Sequence, residues 1–155
     1  MTLHDTGFAL RHVVSCGAVL LISIGAASSQ GINLIATVDK PVTLPIISPP
    51  QAMRSANRAP SHVVVTVTGF TPSSSGPVQA VVDARCGDAQ IEIGRFGIMP
   101  QTTFTSANPT KLQRFSLPLI AGSACTRPDS VTIRLVPSRG DGRGATIEIG
   151  SAVLR

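Results

Sequence analysis

Hydrophobic residues recur along this chain with a period of two. In residues 62–68, Val63, Val65 and Val67 alternate with Val64, Thr66 and Thr68, the β-branched pattern of a half-buried strand. The same rhythm returns downstream. Val78, Ala80 and Val82 alternate with Gln79, Val81 and Asp83, and Ile91 and Ile93 with Gln90 and Glu92. Phe115, Leu117 and Leu119 share one face of the next run, opposite Arg114 and Ser116. Val131, Ile133 and Leu135 alternate with Thr132, Arg134 and Val136, and Ile147 and Ile149 with Thr146 and Glu148. Earlier, INLIATV and VTLPII are two short β-like runs interrupted by Pro41 and Pro45.

Turn-forming segments separate these runs: TPSSSGP after the first, residues 137–144 before the last, and a bend or bulge over residues 94–97. Residues 48–60 (SPPQAMRSANRAP) read as a linker, with prolines and no apolar periodicity. Nothing beyond the N-terminal segment has helical spacing over ten residues. About seven short strands so punctuated predict an all-β, Greek-key β-sandwich of the immunoglobulin or cupredoxin-like kind. The sandwich domain is expected over residues 61–155, with residues 30–60 supplying N-terminal strands and the linker.

The N-terminus breaks the pattern. Residues 1–12 carry Arg11, His4 and His12, while residues 13–27 (VVSCGAVLLISIGAA) carry no charge. That run fits a signal-peptide apolar region and falls short of the roughly 20 residues a bilayer-spanning helix needs. Small residues follow in Gly25-Ala26-Ala27-Ser28-Ser29, and signal peptidase accepts small side chains at the last and third-last positions before its cut. Cleavage after Ala27 or Ser29 fits; Ser29 is preferred, making residues 1–29 the signal peptide. An uncleaved anchor helix is the competing reading. Val13-Val14-Ser15-Cys16 looks like a lipobox, but Arg11 and His12 stand where an apolar stretch belongs. The expected destination is periplasmic or extracellular, with no membrane attachment after cleavage.

Export changes the cysteine arithmetic. Cys16 leaves with the signal peptide, and Cys86 and Cys125 remain as an even pair in an oxidising compartment. They are expected to bridge, contributing about 2–4 kcal/mol; two buried free thiols are the alternative.

Composition narrows the function. The chain has no Trp and no Tyr, and of its five Phe only Phe8 lies in the signal peptide. Stacking platforms for sugars or single-stranded bases are therefore scarce. The net charge of +5 survives cleavage, because Arg11 and Asp5 leave together. The arginines are scattered without a dense run, which favours a solubilising basic surface over nucleic-acid binding.

Catalytic groups are few. His62, beside Ser61, is the one histidine beyond the signal peptide. A single imidazole needs several further ligands to build a copper or zinc site, and no nucleophile-elbow motif supports a Ser–His–Asp arrangement. Asp83, Glu92 and Glu148 fall on the polar phase of their strands, which reads as a solvated sheet face rather than a glycosidase pair. Arg139-Gly140-Asp141 matches the adhesion tripeptide recognised by integrins, yet Gly and Asp are expected in a hairpin turn for backbone reasons alone. No enzyme activity, metal or cofactor is expected.

The final third, SVTIRLVPSRGDGRGATIEIGSAVL, resembles the closing hairpin of the β-sandwich domain that follows the di-copper domain in polyphenol oxidases and tyrosinases. In that family a strand ending in a Leu-Val-Pro-type segment leads through a Gly-rich turn into a Val-Thr-Ile-Gly-Gly-type strand; residues 131–137, 139–144 and 145–150 correspond. Upstream, Ile93-Gly94-Arg95-Phe96-Gly97 is similar to the family's glycine-plus-phenylalanine segment, and residues 115–119 fit the strand after it. The resemblance covers residues 61–155. The copper-binding domain and its histidines are missing here, so the resemblance implies no phenol oxidation by this chain. In the family this domain can cover the active-site entrance and project a side chain toward the copper pair. Small accessory proteins do the same for some bacterial tyrosinases, often with a tyrosine, which this chain lacks. The candidates for a projecting side chain are Phe96 and Phe104, with a core position as the alternative for each.

Three readings follow. The first is an exported, non-catalytic binding or accessory domain whose partner is another exported protein, such as a secreted copper oxidase. The second is a protease inhibitor presenting loops 69–77 or 137–144 from a rigid scaffold. The third is an enzyme using His62.

Overall fold

The computed structural model describes residues 34–48, 61–120 and 125–155. The signal peptide expected over residues 1–29 and linker residues 49–60 lie outside them. The described residues form eight strands: β1 (Leu34–Thr37), β2 (Val42–Pro45), β3 (His62–Thr71), β4 (Val78–Cys86), β5 (Ala89–Phe96), β6 (Gln113–Pro118), β7 (Ser130–Pro137) and β8 (Thr146–Leu154). Among these residues there is no α-helix, only a 3-10 turn at Pro109–Lys111.

The strands make two four-stranded antiparallel sheets, ordered β1-β8-β3-β6 and β2-β7-β4-β5. Sequence periodicity had located six strands beyond residue 61, and each is present. The two short runs before the linker each complete a sheet: β1 pairs with β8 and β2 with β7. Only β4 and β5 are hydrogen-bonded neighbours that follow one another in the chain. They are joined by the two-residue turn Gly87-Asp88, where Gly87 takes the left-handed φ of 58° that such tight hairpins require. Every other connection crosses from one sheet to the other.

The inner faces pack against each other as a β-sandwich. Val63, Val65, Val67, Ile147 and Ile149 come from one sheet, and Val82, Val131 and Ile133 from the other; all are fully buried. Each such side chain contributes about 1.5–3 kcal/mol by leaving water, which is how a core poor in aromatics holds two sheets together.

The alternation is interrupted at three places. Val67 lies opposite Ile149 but Thr66 opposite Ser151, leaving Gly150 as an extra residue on β8. Two positions on, Gly69 lies opposite Glu148, leaving Thr68 as an extra residue on β3. The two bulges reset the phase, so Phe70 rather than residue 69 fills the core, and Ala152 and Leu154 follow Ile149 inward. The third bulge, just before the expected bend at residues 94–97, places Glu92 opposite Asp83 and Gly94 opposite Val82, with Ile93 the extra residue on β5. Residues 92 and 95, on opposite faces of a regular strand, thereby share one face.

Candidate functional site

At the end of the sandwich where β7 turns into β8, three glycines at alternate positions adopt left-handed φ: Gly140 (68°), Gly142 (67°) and Gly144 (82°). This curls residues 138–145 back against the β3–β4 connection of residues 72–77. The Ser75 hydroxyl is the joint. It donates to Asp141 Oδ1 at 2.5 Å and accepts from the Gly142 amide at 3.1 Å. The Ser138 amide donates to the Pro77 carbonyl at 2.9 Å and the Ser74 amide to the Arg143 carbonyl at 3.4 Å. Gly142 is buried in this joint, where a Cβ would come within 2.8 Å of Val38 Cγ2 and 2.9 Å of Pro137 Cγ.

The Arg139-Gly140-Asp141 tripeptide sits in this interlock. Arg139 is exposed, and so is Asp141, whose carboxylate accepts from the Ser75 hydroxyl and the Arg143 amide. Hydrogen bonding by Ser75 above all, then by the Arg143 amide, holds the Asp141 carboxyl below the usual carboxylate range. The acid an adhesion tripeptide would offer is thus engaged within the chain. A cavity of about 350 Å³ is lined by residues 37–39 and 141–146.

At the opposite end of β4, Cys86 is disulfide-bonded to Cys125, with Cα atoms 5.4 Å apart and a sequence separation of 39. Cys86 is the last residue of β4, and Cys125, almost fully buried, belongs to the β6–β7 connection. The bridge therefore anchors that connection to the β4–β5 hairpin.

Between the two ends, the outer face of the second sheet carries a charge network. Arg134 on β7 bonds Asp83 on β4 at 3.2 Å and reaches Glu92 on β5 at 3.7 Å. Arg95 grips the same Glu92 with two hydrogen bonds, at 2.7 and 3.0 Å. The hydrogen bond from Arg95 is the main reason the Glu92 carboxyl lies below its usual range. The polar phase of the strands made Asp83 a solvated residue; instead it is only 9% exposed, because Arg134 lies against it and Glu92 and Thr132 flank it. Val81 is fully buried between the cross-strand neighbours Arg95 and Arg134. Glu148 stands apart on the other sheet, folded over Gly69, its buried Oε2 without a hydrogen-bond partner.

Both candidate phenylalanines are buried. Phe96 is 8% exposed and stacks on Phe115 with ring centroids 3.9 Å apart. Phe104 is 7% exposed and forms a backbone bridge with Phe70, each amide donating to the other's carbonyl, with the rings 6.4 Å apart. The two lie in separate ring pairs. His62 is exposed at the start of β3, with Nδ1 2.7 Å from Ser61 Oγ. Among the described residues no carboxylate bonds its ring, and no three His, Cys, Asp or Glu side chains converge.

Periodicity did not single out a second cavity, of about 320 Å³, on the connection between β5 and β6. Met99 (72% exposed) and Leu112 (37%) form its apolar rim and Phe104 part of its wall. Gln113 holds the connection in place by donating from Nε2 to the Met99 carbonyl at 3.0 Å. The sequence did carry a signal here: from residue 93 to residue 128 there is no Asp or Glu. Compared with protein-family models, curated proteins and solved structures, the chain has no match.

Proposed function

We propose that this protein is an exported, non-catalytic β-sandwich that binds another exported protein. The observation that carries the reading is where the reactive groups are committed. Asp83 and Glu92 are held by Arg134 and Arg95, Asp141 by Ser75, and both cysteines by one another. Each serves the scaffold, and His62 has only a serine hydroxyl for company. A disulfide-tied sandwich with loops braced at one end suits presentation of a fixed surface. The crossing connections support a Greek-key threading of the kind found in exported binding domains.

A secreted copper oxidase is the partner that the resemblance to tyrosinase C-terminal domains points to. With Phe96 and Phe104 both buried, neither ring projects freely in this conformation, so such a complex would rest mainly on exposed side chains. Co-purification from the native host tests the proposal: a stoichiometric protein partner is expected. Recovery of the protein alone, with no effect on any phenol oxidase of the host, would overturn it. The loop-presenting inhibitor is the second reading, favoured by the bracing of residues 138–145 with Arg139 exposed. Titrating a panel of proteases with the purified protein separates the two, since an accessory domain leaves all of them active.

A further inference from the structure

Among the described residues, four strands lie at sheet edges with one side unpaired, and these edges are not equivalent. β1 and β2 have four residues each, and β2 ends in Pro45 with Pro41 just before it. β5 is bulged at Ile93 and carries Glu92. Shortness, proline and bulges are the usual devices that keep an edge from pairing. β6 is different: its pairing with β3 runs without a register shift from Gln113 to Pro118. The Leu119 amide donates to the Ser61 carbonyl on the β3 side. By the alternation of an antiparallel ladder, the N–H and C=O groups of Arg114 and Ser116 point to the open side.

The surroundings of that edge have a distinct chemistry. β3 and β6 contain no acid, and neither does the connection leading into β6. Lys111 and Arg114 are exposed there, and neither has a carboxylate partner among the described residues. Next to them is the cavity rimmed by Met99 and Leu112.

We propose that the β6 edge, with this cavity and the cations Lys111 and Arg114, is the docking site for an extended, acidic segment of the partner protein. The segment adds a strand to β6 through Arg114 and Ser116, places an apolar side chain between Met99 and Leu112, and sets its carboxylates against Lys111 and Arg114. Backbone bonding supplies affinity, the cavity fixes the register, and the cations select acidic over basic segments. Pro118, which lacks an N–H, ends the interface.

The inference rests on the binding-scaffold reading and can fail separately from it. The probe is an end-capped octapeptide of alternating valine and glutamate, with a valine–lysine octapeptide as control, added to the isotope-labelled protein. The glutamate peptide is expected to slow amide exchange at Arg114 and Ser116 and to shift the Met99 and Leu112 resonances. The double variant Lys111→Glu, Arg114→Glu is expected to bind it at least about tenfold more weakly, as for loss of paired charges at an interface. Both substitutions are on exposed residues, and an unchanged unfolding midpoint confirms that the fold is kept. Equal binding of the lysine peptide, protection at β5 instead of β6, or no protection at all would overturn the proposal. A host partner that holds the double variant as tightly as the parent would remove this site while leaving the scaffold reading in place.

Discussion

At one end of β4 the chain is closed by a covalent bond between Cys86 and Cys125; at the other, just before Val78, it is closed by a hydroxyl, a carboxylate and three left-handed glycines. The two closures act on different states. A disulfide that links positions 39 residues apart works chiefly by restricting the unfolded chain, in the loop-entropy account. The Ser75–Asp141–Gly142 interlock exists in the folded state alone, and its worth depends on hydrogen-bond geometry and local packing. A small sandwich lacking Trp and Tyr thus fixes one set of connections by chain entropy and the other by close fit.

The largest test removes the covalent closure. Replacing Cys86 and Cys125 together by Ala is expected to lower the unfolding free energy by roughly 4 kcal/mol, the loop-entropy figure for this separation. Chemical denaturation reads it. A loss under about 1 kcal/mol would mean that the unfolded chain is not what the bridge restrains.

At the hydrogen-bonded end, the sharper contrast lies between two glycines with similar φ. Gly142→Ala forces a left-handed alanine and drives its Cβ against Val38, Pro137 and Val78, at an expected cost of about 2–4 kcal/mol. Gly144→Ala meets nothing within 4 Å and should cost only the backbone strain, about 1–2 kcal/mol. Urea melts of the two variants separate packing from strain; equal losses would show that packing around Gly142 contributes nothing.

Ser75→Ala gives a smaller effect that depends on pH. Because the folded-state carboxyl of Asp141 titrates below its ordinary value, its stabilising contribution is present above the unfolded pKa. That contribution fades as pH falls through the folded pKa. Without the Ser75 hydroxyl, the Asp141 carboxyl is expected to titrate closer to the ordinary value when followed by NMR. An unmoved titration would show that the hydroxyl does not hold the acid. Smallest of all is Arg95→Ala at mid-sandwich: its pair with Glu92 is solvent-exposed, and exposed pairs contribute little. Its unfolding midpoint should fall only slightly, as Val81 loses part of its cover, and a large loss would show that this pair braces the sheet between the two ends.

The two closures also differ in how readable they were from sequence. Counting cysteines beyond the expected export signal named the bridge, because an oxidising destination and an even count constrain it without any knowledge of the fold. The interlock could not be read in this way. Ser75 and Asp141 are 66 residues apart, and only the placement of β3–β4 and β7–β8 at one end makes them neighbours. The strands themselves were legible, since alternation of Val and Ile with Thr is a local signal. The bulges at Thr68 and Gly150 were not, because each is defined by its partner strand: Phe70 enters the core only once the register has slipped. The same limit hid the charge network, in which the Ile93 bulge brings Glu92 and Arg95 onto one face. Phe96 and Phe104 stood out as rare aromatics, but rarity does not distinguish a projecting ring from a core ring. Met99 and Leu112 gave no periodic signal, lying in an irregular connection.

The central claim, that an exported and disulfide-tied scaffold performs the function, is tested most directly by one mass measurement. The protein is recovered from the periplasm or medium of its host, alkylated without reduction, and its intact mass read. The account predicts a chain beginning at Gln30, lighter by the two hydrogens of a Cys86–Cys125 bridge and carrying no alkyl group. A cell-associated chain that retains residues 1–29, or one alkylated at both Cys86 and Cys125, would contradict it.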